Sequence, residues 1–116
     1  MTESDLIYQI MRELSKFGLV YRANCGAVKL ANGKYFRGLP EGFSDVLFIR
    51  PPDGKACLIE AKVKPNRLTD KQEEFILKMR RAGAFAGVAF SVDDALMIAG
   101  LSTVDETVTE RLPREG

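Results

Sequence analysis

Residues 45–63 read DVLFIRPPDGKACLIEAKV. Two apolar runs, Val46 to Ile49 and Cys57 to Ile59, flank Pro51-Pro52-Asp53-Gly54. Proline fixes φ and glycine relaxes it, so this cluster breaks an extended chain into a turn. The pattern predicts two antiparallel strands, Asp45–Ile49 and Cys57–Val63. Asp45, Glu60 and Lys62 are polar residues set into these apolar strands. A turn centred between Pro52 and Asp53 sets Asp45 opposite Glu60. A turn centred between Asp53 and Gly54 sets Asp45 opposite Lys62 and Glu60 opposite Leu47. Side chains alternate along a strand, so both registers gather Asp45, Glu60 and Lys62 on one face. Directly opposed Cβ atoms lie about 5 Å apart. A bulge in either strand would undo the arrangement.

Two carboxylates at that separation repel unless a cation lies between them. A hard divalent ion suits the gap, because Mg²⁺ takes one or two protein carboxylates and fills its shell with water and substrate phosphate. The Ala61 carbonyl offers a further oxygen. Such an ion acidifies a bound water and stabilises charge building on a phosphate. Lys62 points the same way as Glu60, where it can orient the attacking water or neutralise phosphate oxygens. The bland alternative is a solvated ion pair on an exposed hairpin. The apolar flanks, the Gly38–Gly42 loop leading into Asp45, and the adjacent basic run of Lys62, Lys64, Arg67 and Lys71 favour the catalytic reading, since a phosphate backbone needs cations there.

Working outward, Thr69 with Gln72 forms a capping box that opens a helix. Phe75, Ile76, Met79 and Ala82 make its apolar stripe, and Gly83 ends it. Phe85 to Phe90 reads as a third buried strand, and Ser91 caps a short helix ending near Gly100. The strand–helix–strand unit from Leu58 to Phe90 should be parallel and right-handed. Upstream, Leu6, Ile7, Ile10, Leu14 and Phe17 predict a helix over 3–17, capped by Thr2 or Ser4, with Gly18 in the left-handed position after it. A strand follows over 19–24. Asn32-Gly33 then marks a hairpin between two short extended runs. The expected architecture is α/β, a mixed sheet with helices on both faces.

The chain has 116 residues, 46% hydrophobic and 28% charged, which predicts one globular domain and excludes collagen, coiled-coil and disordered classes. Residues 1–100 are assigned to the domain, and 101–116 to a charged tail belonging to the same domain or following it. No apolar run is long enough to span a bilayer, and MTESDLIYQI lacks the features of a signal peptide. An intracellular, cytoplasmic protein without membrane partners is expected. Cys25 and Cys57 form no CxxC and read as packed free thiols. There is no histidine, which excludes Ser-His-Asp triads, HExxH zinc sites and imidazole acid–base catalysis. Net charge is +1, but residues 12–81 carry 15 Lys and Arg against 8 Asp and Glu. This basic middle is compatible with a polyanion partner or with a mixed solvated surface. Sugar hydrolysis by the carboxylate pair is disfavoured, since the chain lacks Trp and the adjacent side chains are lysines.

At Asp45 and Glu60-Ala61-Lys62 the sequence resembles the PD-(D/E)xK nuclease superfamily, with Ser44 in place of the usual proline. More closely, it resembles the virus-type replication-repair nuclease (VRR-NUC) domain. The matching segments are Glu3, Arg22-Ala-Asn24 with Gly26, Gly38–Asp45, Glu60–Lys62, Arg67–Gln72 and Gly83–Ser91. The resemblance implies a restriction-endonuclease-like fold with an αβββαβ core and Mg²⁺- or Mn²⁺-dependent phosphodiester hydrolysis, with no organic cofactor. By position it makes Asp45 and Glu60 metal ligands and Lys62 the catalytic lysine. Glu3 matches an acidic residue completing the site, or else serves the helix N-terminus electrostatically. Gln72 matches a site-lining glutamine, or else serves the capping box alone. Arg22 and Asn24 match residues that contact phosphate or shape the site, or else are the polar ends of an edge strand. Stand-alone relatives resemble phage or prophage homodimers that resolve four-way (Holliday) junctions in DNA. Two symmetric nicks need two sites related by a two-fold axis, which a C2 dimer supplies. The alternatives are a nicking, flap or nonspecific nuclease, and a non-catalytic DNA-binding module on the same fold.

Overall fold

The computed structural model describes residues 1–23 and 27–101. The expectations placed on Asn24, Cys25 and residues 102–116 lie outside them.

Helix α1 spans Glu3–Leu14 and begins in a capping box. The Thr2 hydroxyl accepts from the Asp5 N–H at 3.1 Å, and the Thr2 N–H donates to Asp5 at 3.0 Å. These bonds hold the Asp5 carboxyl below its ordinary pKa of 3.8. Leu6, Ile7, Ile10 and Leu14 form the buried stripe. The helix stops three residues earlier than the periodicity predicts, and Phe17 falls in the following turn, 39% exposed. Gly18 is not among the glycines with positive φ. It is there for space: a Cβ would sit 2.7 Å from Pro51 Cδ and press on the Ile49 carbonyl. That close approach lets the chain turn directly into strand β1 (Leu19–Arg22).

Strands β2 (Ala27–Lys29) and β3 (Tyr35–Arg37) form a separate two-stranded ribbon. Its loop is closed by Leu30 and Lys34, with Gly33 at φ +86. That left-handed geometry is open to glycine at no steric cost. Strand β4 (Val46–Arg50) then pairs antiparallel with β1 on one side and with β5 (Lys55–Ala61) on the other. Helix α2 (Asp70–Arg81) crosses over to β6 (Phe85–Ala89), which lies parallel to β5. Helix α3 (Val92–Ile98) closes the described chain. The main sheet has the order β1-β4-β5-β6. The mixed α/β architecture with an αβββαβ core is thus present, with the β2–β3 ribbon inserted between the first two sheet strands.

Alternation along the strands builds two cores. Val46, Phe48, Cys57, Ile59 and Ala61 face α1 and α3. Leu58 and Ala86 face α2 through Phe75 and Ile76, joined at the edge by Phe43 and Leu47. Full burial of each large apolar side chain contributes about 1.5–3 kcal/mol. Cys57 is a buried free thiol whose pKa burial pushes up to about 11. Among the described residues, no helix is long and apolar enough to cross a membrane.

Candidate active site

The hairpin register decides which polar groups meet. Val46 pairs with Ile59 and Arg50 with Lys55, and the five pairs run without a bulge. Extending the ladder by one pair sets Asp45 across from Glu60, the first of the two registers. Asp45 Oδ2 accepts from the Ala61 N–H at 2.8 Å. The Asp45 carbonyl accepts from the Ala23 N–H at 2.8 Å, which ties the end of β1 to the same corner. Arg22, one residue earlier, pairs with Val46 and is exposed at that edge.

Glu60 lies on the α2 face of the sheet and is 2% exposed. Burial, then the neighbouring Asp45 carboxyl, push its pKa from 4.5 up to about 9. Lys62 partly opposes that rise, whereas Glu3 adds to it. Lys62 is itself buried, and its backbone N–H extends the β5–β6 ladder to the Ala89 carbonyl at 3.0 Å.

Gln72 performs two tasks at once. Its backbone N–H and side-chain oxygen complete the α2 capping box with Thr69. Its Nε2 donates to Glu60 Oε2 at 3.2 Å. The box fixes the side chain that holds the carboxylate, so the structural and site-lining readings are compatible.

Glu60 Oε1 is buried and has no hydrogen-bond partner among the described residues. An orphaned carboxylate oxygen beside a second carboxylate is a donor set that a hard divalent cation would complete. The protein offers no closed cage: no three acidic, Cys or His side chains converge among the described residues. Two carboxylates without a third match the habit of Mg²⁺, which takes one or two from a protein, rather than that of a structural metal. Glu3 stands outside the pair, with Oε2 accepting from Asn66 Nδ2 at 2.8 Å.

The basic run divides in space. Lys64 and Arg67 line a cavity of about 330 Å³ with Pro65, Asn66 and Phe90. Lys71 instead lies against Gly42, whose φ of +89 lets the loop pass close over the α2 backbone. Two site residues escaped the sequence reading. Asn66 is visible only through its bond to Glu3. Phe90 was expected inside a buried strand, but β6 ends at Ala89 and Phe90 is 39% exposed. Its face could have been inferred from alternation had the parallel register been known.

An antiparallel hairpin carrying Asp and Glu-x-Lys, backed by a parallel strand–helix–strand unit, has the arrangement of a PD-(D/E)xK-type nuclease. The chain belongs to the VRR-NUC domain family, whose model matches residues 4–93. A solved VRR_NUC domain structure is similar to it at 20% identity, covering 82% of this chain and 91% of that one with a TM-score of 0.57, which establishes the shared fold. Comparison with curated proteins gives no match. The protein is therefore a nuclease domain with DNA as its partner, of a type that generally uses divalent metal ions.

Proposed function

We propose that this chain is a metal-dependent, structure-selective DNA endonuclease that acts as a homodimer on four-way junctions. The observation that carries the catalytic part is buried Glu60, with an orphaned oxygen, set against half-buried Asp45 with Lys62 nearby. Asp45, Glu60 and the Ala61 carbonyl would hold Mg²⁺ or Mn²⁺, with Glu3 as an outer acidic group. When bound, the ion supplies positive charge to the phosphate and acidifies a water. Gln72 keeps Glu60 oriented, and the Ala61 N–H does the same for Asp45. Lys62, desolvated next to Glu60, orients the attacking water and offsets charge on the phosphate. Arg22, Asn24, Lys64, Arg67 and Lys71 contact the DNA backbone.

Two features support the assembly and the substrate. Val28, Leu30 and Phe36 alternate onto one face of the β2–β3 ribbon and are 60%, 42% and 59% exposed. Uncovered apolar residues grouped in this way suit burial against a second copy. Residues 23–40 include Lys29, Lys34 and Arg37 and no acid, so the same ribbon suits a polyanion.

The test is cleavage of a labelled four-way junction beside a linear duplex and a 5′ flap, with Mg²⁺ or Mn²⁺ and with EDTA, for the natural chain and Lys62→Ala. Paired symmetric nicks in the junction alone, lost with EDTA and in the variant, are expected. Equal cutting of flap or duplex would keep the nuclease and remove the resolvase. Tight DNA binding without metal-dependent cutting would leave a non-catalytic module.

A further inference from the structure

The Lys64–Phe90 cavity is lined by the stretch of chain just past Lys62 and by the residue that follows β6. In the parallel ladder Glu60 pairs with Val88 and Ala61 with Ala89. The Lys62 N–H to Ala89 carbonyl bond continues that ladder. One step further sets Phe90 next to Lys62. Side chains alternate, so Phe90 stands on the same sheet face as Glu60 and Lys62. Its position is fixed from behind: the Phe90 N–H donates to Asp94 Oδ2 at 2.9 Å, and the Asp94 N–H donates to Ser91 at 3.1 Å. An aromatic ring is thus held, 39% exposed, at the rim of the site.

The rest of the cavity has the matching chemistry. Lys64 Nζ lies 5.6 Å from the centre of the Phe90 ring. Arg67 lines the same cavity, with Pro65 and Asn66 between the two cations. Asn66 is itself tied to Glu3 at the head of α1. The space measures about 330 Å³, enough to take one nucleobase with its sugar. Flat aromatic rings flanked by cations are the general device for holding single bases, because every base has a π face and the adjoining phosphates are anionic.

We infer that Phe90, Lys64 and Arg67 form a subsite for one unstacked nucleobase next to the phosphodiester being cut. The inference rests on the nuclease reading and adds a substrate class to it: DNA that presents an unpaired or easily extruded base beside the scissile bond. Removing a base from an intact duplex costs a few kcal/mol, and least at a branch, mismatch or single-stranded end. The subsite therefore ties selectivity for DNA structure to Phe90 rather than to sequence readout.

The experiment uses the full chain and flap and junction DNA carrying 2-aminopurine, whose fluorescence falls on stacking, at successive unpaired positions beside the cut. Binding is read without divalent metal, and cleavage with Mg²⁺. The natural chain should quench the probe at one position. Phe90→Tyr should keep the quench, while Phe90→Ala and Phe90→Leu should lose it, with unchanged circular dichroism reporting an intact fold. Stacking losses on this scale predict a rise in KM of roughly 5- to 150-fold for Phe90→Ala. An abasic nucleotide at that position should cost the natural chain a similar factor, and the two losses should not add. Quenching and KM that ignore both Phe90 and the base would overturn the subsite. Absence of metal-dependent cutting on every DNA tested would overturn the nuclease reading instead, and the metal-free quench separates the two failures.

Discussion

Glu60→Gln should stabilise the metal-free protein while abolishing its activity. Glu60 is buried against Asp45 with one oxygen unpartnered, and its pKa rises from 4.5 to about 9. In the unfolded chain it ionises near the ordinary value. At pH 7 the folded chain must take up a proton across the interval above 4.5, at about 1.4 kcal/mol per pH unit, a penalty on the order of 3 kcal/mol. A raised carboxyl pKa means the folded state binds more protons than the unfolded one. Stability is therefore full below pH 4.5 and falls as pH climbs towards 9. Glutamine never ionises, fills the same space, and can donate its amide to Asp45. Urea unfolding in EDTA should show the variant more stable by roughly 2–3 kcal/mol at pH 7 and by under about 1 kcal/mol at pH 5. Mg²⁺ should stabilise the natural chain by mass action and the variant less. An equal or less stable variant at pH 7, or an advantage that does not grow with pH, would refute the reasoning.

Three further substitutions have directions set by the structure. Ser44 is fully buried and its Oγ has no partner among the described residues, so Ser44→Ala should raise stability by about 1 kcal/mol in urea titration; a loss would show that the hydroxyl is satisfied. Gly42→Ala should destabilise by about 2 kcal/mol or more and slow DNA cutting, because φ is +89, a Cβ would strike the Lys71 backbone, and Gly42 lies only three residues before Asp45. Thermal melts and cleavage rates indistinguishable from the natural chain would contradict this. Arg50 bonds the Ala99 carbonyl at 3.0 Å, pairs with Asp53 at 2.7 Å and lies 5.2 Å from the Phe85 ring centre. Arg50→Ala should lower stability by about 1–2 kcal/mol, largely through the bond to Ala99, since the partly exposed ion pair contributes little. A loss that vanishes at high salt would instead assign it to the ion pair.

The elements bearing the site were legible because local chemistry specifies them. Pro51–Gly54 forces a turn, Thr69 and Gln72 cap a helix, and the apolar runs beside Asp45 and Glu60 require burial. Where reasoning from sequence failed, packing had overridden a local signal. Helical spacing reaches Phe17, yet α1 ends at Leu14 because Gly18 must pass against β4. The position of Gly18 after a helix suggests a conformational role, but its value is its missing side chain. Phe90 carries the composition of a buried strand, yet its amide is claimed by Asp94 and its ring is left at the rim.

By itself, then, the sequence determined the class of fold, the face shared by Asp45, Glu60 and Lys62, and the absence of imidazole chemistry, since periodicity and composition are properties of neighbouring residues. Tertiary structure alone chose between the two hairpin registers, left Glu60 Oε1 without a partner, and let Gln72 serve both cap and carboxylate. It also divided the basic run, sending Lys64 and Arg67 to Phe90 and Lys71 to the Gly42 loop. These outcomes depend on how β5 lies against β4, β6 and α2. Contacts between residues distant in the chain are set by the packing of whole elements, which local spacing does not encode.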